Sequence, residues 1–161
     1  MQSSFQHMPG HLIRRLHQIS TSVFVEHMDK HEHDFTPIQF AALSCICANP
    51  GIDQAGLAGV IACDRVTTGG VVDRLEQKGF VTRTVNNKDR RARLVRATSE
   101  GVRNLDAVAP VIMGLQTAIL SGLDENERIV FVELLEKATR NGNQLSRAPQ
   151  VSSNIVQVEN R

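Results

Sequence analysis

The chain has 161 residues, with 18 Lys+Arg against 17 Asp+Glu, 41% hydrophobic residues, no Trp, no Tyr and three Cys. That length suits one domain with its own core; no apolar run approaches the roughly 20 residues that span a bilayer and no signal-peptide core opens the chain, so a cytoplasmic protein without membrane partners is expected. Cys45, Cys47 and Cys63 have neither CxxC nor zinc-finger spacing, which excludes a disulfide framework, and the missing Tyr and Trp argue against a single-strand nucleic-acid reader, which stacks bases on aromatic rings.

In chain order, Leu12, Leu16, Ile19 and Val23 form one helical stripe over residues 9–30. Thr36-Pro37 reads as an N-cap followed by a first-turn proline. Ile38, Phe40, Ala41, Leu43, Ile46 and Cys47 make the next helix apolar on much of its surface, and Asn49-Pro50-Gly51 ends it. Asp53 caps a short helix holding Leu57, Val60 and Ile61; after the turn Ala62-Cys63-Asp64, Asp64 caps another over about 65–78. In that helix Thr68, Val71, Val72 and Leu75 can face inward, and Gly79 suits the left-handed position just past its end. Residues 80–85 and 92–97 are rich in β-branched residues and flank Asn86-Asn87, which predicts a hairpin with a long tip. Thr98-Ser99-Glu100 starts a long helix with Val102, Leu105, Val108, Val111, Ile112, Leu115 and Ile119, in which Pro110 is expected to introduce a kink. Ile129, Val130, Val132, Leu134 and Leu135 belong to a last helix ending near Gly142, and from Arg147 onward a loose tail is expected.

The net charge of +1 hides an asymmetry. Arg83, Lys88, Arg90, Arg91, Arg93 and Arg96 with the single acid Asp89 give residues 83–96 a charge of +5, leaving −4 on the other 147. A compact basic element on a mildly acidic body suits contact with an anionic polymer. Two short helices joined by a tight turn and followed by a basic hairpin make a winged helix-turn-helix. Its second helix can lie in a major groove with Arg65, Thr67, Thr68, Gly70 and Arg74 on its outward face, Arg65 being suited to bidentate reading of guanine. At the hairpin tip, Arg90 and Arg91 can reach a minor groove. Lys88, Arg93 and Arg96 suit phosphate contacts, and Asp89 can hold an arginine in register.

The residues 64–101 resemble the core of the MarR (multiple antibiotic resistance regulator) family. Asp73-Arg74-Leu75-Glu76 with Gly79 meets the family's D-R-L-E-x-x-G pattern, Asp89-Arg90-Arg91 its wing pattern D-x-R, and Thr98 with Gly101 its T-x-x-G; Gly69-Gly70 stand where larger residues are usual. The motifs cover about 40 residues and the helix order extends the similarity over roughly 10–145. The resemblance implies a mainly α fold of six helices with a small β-hairpin wing, one domain over 1–145 with a DNA-binding lobe at about 36–98 and dimerisation helices at 9–31 and 99–145; the tail at 146–161, expected from its polar composition, matches nothing in the family pattern after residue 147. The resemblance also implies a homodimer on a palindromic double-stranded operator, with Arg91 entering the minor groove and held by Asp89. The apolar surface of the flanking helices supports a dimer independently.

The same resemblance implies a small aromatic carboxylate or phenolic effector that relieves repression. His11, Arg15 and Ser22, on the flank of the first helix's apolar stripe, are candidates to bind it. Two other sensing chemistries have residues to support them: His27, His31 and His33 beside Glu32 and Asp34 for zinc, and Cys63 in the helix-turn-helix turn for oxidation. Against them stand a polar helix end and a buried turn residue; no cofactor and no metal are assigned. Nothing supports catalysis, since no nucleophile elbow, phosphate loop or paired acidic motif is present. The rival from another class is a winged helix that binds protein partners and never DNA.

Overall fold

A computed structural model describes residues 4–86 and 92–151. Among these are six α-helices: α1 (Pro9–Lys30), α2 (Pro37–Ala48), α3 (Gln54–Val60), α4 (Arg65–Gln77), α5 (Ser99–Ile119) and α6 (Glu125–Asn141). Three strands join them, β1 (Ile52–Asp53), β2 (Val81–Val85) and β3 (Arg93–Ala97), in the antiparallel order β1-β3-β2. The hairpin register pairs Val81 with Ala97 and Val85 with Arg93. The third strand, β1, goes beyond the expected hairpin; it adds Ile52 opposite Val95 and ties the wing base to the helix-turn-helix.

The helix starts follow from local capping chemistry. At α2, Thr36 Oγ1 accepts from the Gln39 amide at 3.3 Å and Gln39 Oε1 accepts from the Thr36 amide at 3.2 Å, a reciprocal capping box ahead of Pro37. Asp53, Asp64, Thr98 and Asp124 each accept from the backbone three residues on at α3, α4, α5 and α6. Gly79 takes φ +75° after α4, the left-handed exit a glycine adopts without penalty. α5 continues through Pro110 as one helix.

The core joins α2, α3, α4 and the sheet to α5. Leu43 and Ile46 of α2, Leu57 of α3, Val72 and Leu75 of α4, Val81 and Val95 of the sheet, and Val108 and Leu115 of α5 are fully buried. Phe24 and Met28 bring the C-terminal half of α1 onto this core. α6 is different: it has no buried residue, while Ile129, Val130, Val132, Leu134 and Leu135 are all exposed. No single helix among the described residues is long and apolar enough to cross a membrane.

The segment after α6 is not loose up to residue 151. A 3-10 turn (Asn143–Leu145) reverses the chain, and Asn143 clasps Gln150, its Nδ2 donating to the Gln150 carbonyl at 2.9 Å and its Oδ1 accepting the Gln150 amide at 2.7 Å. The Val151 amide then donates to the Gly59 carbonyl at 2.9 Å and Gln150 Nε2 to the Val60 carbonyl at 3.0 Å. These carbonyls lie at the C-terminal end of α3, where a helix leaves its acceptors without internal partners. Gln150 and Val151 supply such partners, the Gly59 carbonyl also accepting from the Ala62 amide at 3.3 Å.

Candidate nucleic-acid interface

Asp64 sets the geometry of α4. Its Oδ1 accepts the Thr67 amide at 2.9 Å and its Oδ2 the Thr67 hydroxyl at 2.6 Å. These hydrogen bonds, the hydroxyl's first, hold the Asp64 carboxyl below the usual aspartate range. The Thr67 hydroxyl thus spends its proton within the chain and is left to meet a partner as an acceptor.

The helix phase then fixes what can meet a partner. Thr68, Val71, Val72 and Leu75 are buried, whereas Arg65, Val66, Thr67, Gly70 and Arg74 are exposed. Thr68 therefore leaves the predicted outward set. It is fully buried and its hydroxyl donates to the Asp64 carbonyl at 2.8 Å, one turn back, which satisfies the only polar group it brings into the core. Neither Arg65 nor Arg74 forms an ion pair with another described residue, so both charges stay available. Sequence reasoning passed over Val66, whose signal was its phase, opposite the buried positions.

Two clamps hold α4 against its neighbours. Arg83 of β2 donates from Nη1 to Asp73 at 2.6 Å and from Nε to Glu76 at 3.0 Å, with Nη2 also on Glu76. Arg83 thereby pulls the Glu76 carboxyl below its usual range, and both carboxylates raise the guanidinium's own pKa. One of the basic residues counted toward the wing is thus a strut between wing and helix. Just past the same C-terminal end of α4, Lys78 pairs with Asp34 at 2.8 Å, donates to Gln39 Oε1 at 3.2 Å and lies 5.6 Å from the Phe35 ring, which stacks on Phe80. Of the remaining wing cations, Arg93 is exposed on β3, and the Arg96 guanidinium covers the turn at Gly51. The predicted contacts Lys88, Asp89, Arg90 and Arg91 lie outside the described residues.

The model of the MarR family matches residues 35–92. The transcriptional repressor NicR of Pseudomonas putida is 30% identical over 128 residues, covering 80% of each chain. The chain belongs to the MarR family. Among solved structures, Bordetella bronchiseptica BpsR, whose DNA binding is regulated by 6-hydroxynicotinic acid, superimposes with a TM-score of 0.79 at 25% identity over 86% of this chain and 98% of that one. A point mutant of Escherichia coli MarR, complexed with operator DNA, does so with a TM-score of 0.74 at 26% identity over 85% and 99%. This MarR-family chain is accordingly a DNA-binding transcriptional regulator with a winged helix-turn-helix, a class without enzymatic chemistry.

The sensing candidates of this MarR-family regulator are spread along the chain. His11 packs its ring edge-on against Phe5 at 5.1 Å, and Arg15 and Ser22 are exposed on α1. At 1.5 Å rise per residue, His11 and Arg15 are about 6 Å apart along the axis and Ser22 lies about 10 Å further, so one small ligand cannot touch all three in one protomer. Ser22 instead lines an open cavity of about 800 Å³ whose wall includes Glu26 and Asp29, an unfavourable setting for an anion. His27 and His31 stack at 6.5 Å, each with Nδ1 within hydrogen-bond reach of a carbonyl one turn back, and no three His, Cys, Asp or Glu among the described residues converge on a metal position. Burial raises the Cys45 and Cys47 thiol pKa values, Asp106 adding to the rise at Cys47, which disfavours the reactive thiolate at both; Cys63 is half-buried in the turn.

Proposed function

We propose that this regulator is a repressor that binds a palindromic operator as a homodimer and releases it when a small aromatic acid binds. The observation that carries the DNA-binding half is the exposed face of α4, where Arg65 and Arg74 stand without ion-pair partners among the described residues and Thr67 is exposed between them, next to the basic wing. In this reading each α4 enters a major groove, with half-sites about one helical turn (roughly 34 Å) apart. Arg65 reads a base edge, Lys88 and Arg93 neutralise phosphates, and Arg90 and Arg91 enter the adjacent minor groove with Asp89 orienting Arg91.

The exposed apolar side chains of α6 support the dimer, since a helix that buries nothing in its own chain gains its stability from a second one. NicR's designation as a repressor and the response of BpsR to 6-hydroxynicotinic acid support the sign and the effector class. On α1, Arg15 is the cation best placed to pair an effector carboxylate, with His11 one turn away. Binding there shifts the population toward a spacing of the two α4 helices that no longer fits successive grooves.

Fluorescence anisotropy on the protein's own promoter region tests the proposal. The expected result is salt-dependent binding that falls at least tenfold in Arg65→Glu and Arg91→Glu and is reversed by hydroxylated aromatic acids. Absence of salt-dependent duplex binding would leave the protein-partner reading in its place, and undiminished binding with every aromatic acid would remove the effector.

A further inference from the structure

Val66 is 86% exposed at the start of the helix that faces the DNA. The buried face of α4 is Thr68, Val71, Val72 and Leu75. At 100° per residue, Val66 lies roughly 170° from the centre of that face, so it is the crest of the helix, with Arg65 and Thr67 on either flank. An isopropyl group held at the outermost point of a recognition helix has no partner in its own chain. Being β-branched, it is fixed in one main rotamer and loses little freedom when a partner arrives.

The next turn of the same crest is empty. Gly69 and Gly70 have nothing within 4 Å of where a Cβ would stand, and neither has a positive φ. Glycine inside a helix weakens it, and here neither crowding nor backbone conformation within the chain requires it. The cost is accounted for if the surface of a partner comes close to the helix at this point.

We propose that Val66 is a specificity-determining residue that reads the 5-methyl group of one thymine per half-site, with Gly69 and Gly70 letting α4 sit deep enough for the contact. Thymine is the base that presents a methyl to the major groove, and apolar side chains recognise it there. The inference rests on the DNA-binding reading given under Proposed function.

The test uses the duplex that the full-length protein selects from a random pool. Each thymine of both half-sites is replaced in turn by deoxyuridine, which removes the methyl and nothing else. At one position per half-site the wild type is expected to bind about 4-fold more weakly, the equivalent of about 0.8 kcal/mol for one buried methylene-sized group. Val66→Ala is expected to bind the thymine and deoxyuridine duplexes equally and to keep the wild-type melting temperature, as an exposed site should. Gly70→Ala is expected to raise thermal stability while weakening the same duplex, a pair of changes that a structural role would not produce. If the wild type binds but no deoxyuridine position distinguishes it from Val66→Ala, the thymine contact is overturned and the DNA-binding reading stands. If the wild type selects no duplex, both fall.

Discussion

At the start of α5, Thr98 Oγ1 accepts the Gly101 amide at 3.0 Å and donates to the Gly79 carbonyl at 2.6 Å, while the Thr98 amide donates to the Phe80 carbonyl at 2.9 Å. This knot brings the Gly101 backbone so close to Phe80 that a Cβ at 101 would overlap the Phe80 carbonyl, and backbone cannot step aside as a flexible side chain does. Gly101→Ala is therefore expected to destabilise by about 3 kcal/mol, lowering the melting temperature by roughly 6–12 °C in a calorimetric scan. Asp64 makes a second prediction at this scale. Its carboxyl is held below its ordinary 3.8 by the Thr67 hydroxyl and then the Thr67 amide. A carboxyl lowered by folding contributes stability that is fully present above its unfolded value and is lost as pH falls through the folded one. Glu76, lowered by Arg83, and Glu100, lowered by Arg103 and Asn104, act in the same direction. The melting temperature followed by circular dichroism should hold from pH 7 to about 5 and fall below about 4. Asp64→Asn keeps a capping acceptor without the titration and should fall less steeply over that acid range.

Helix boundaries are legible because they are local chemistry: Thr36 with Gln39, and Asp53, Asp64, Thr98 and Asp124 each carry their cap within three residues. Where an element depends on a distant partner, the sequence holds no such signal. Strand β1 exists because Ile52 meets Val95, and nothing in Ile52-Asp53 alternates. Thr68 fits both faces of α4 by residue type; its phase with Val71, Val72 and Leu75 puts it inside, where its hydroxyl finds the Asp64 carbonyl. The docking of Gln150 on Val60 spans 90 residues of sequence. That docking links the end of α6 to α3 and can be tested as an element. Gly59 lacks a Cβ where Val151 Cγ2 would stand 2.9 Å away, so the fit is close. Asn143→Ala removes both side-chain bonds to the Gln150 backbone, each worth about 1 kcal/mol net. Hydrogen exchange should then show the Gln150 and Val151 amides opening about 5–30-fold more often, with amides inside α4 unchanged. Wild-type amides at 150 and 151 that exchange as fast as free peptide would refute the docking.

At the scale of the whole molecule, the two ends of the chain's helical frame differ in what they need. The lobe built from α2, α3, α4 and the sheet buries Leu43, Leu57, Leu75 and Val95 within one chain, in a core completed by Val108 and Leu115 of α5 and Phe24 and Met28 of α1. α6 buries none of its residues and exposes Ile129, Val130, Leu134 and Leu135, and α1 and α5 expose Leu12, Ile13 and Met113. An apolar surface this extensive on a folded monomer calls for a second surface like it, and a two-fold partner supplies one by symmetry. Coupling follows from that arrangement. If α6 is ordered by the partner and α3 is strapped to the segment after α6, the positions of the two recognition helices depend on the dimer contact. Leu134→Glu places a charge in that contact and leaves the lobe's core untouched. Sedimentation should find the wild type dimeric and the variant monomeric at micromolar concentration. The wild-type melting temperature should rise with protein concentration, because association stabilises the folded state by mass action, and the variant's should not. Operator affinity should fall at least a hundredfold in Leu134→Glu, since a monomer engages one half-site and forfeits the high effective concentration of the second. A variant that stays monomeric yet binds the full palindrome as tightly as the wild type would show that α6 faces something other than a second copy.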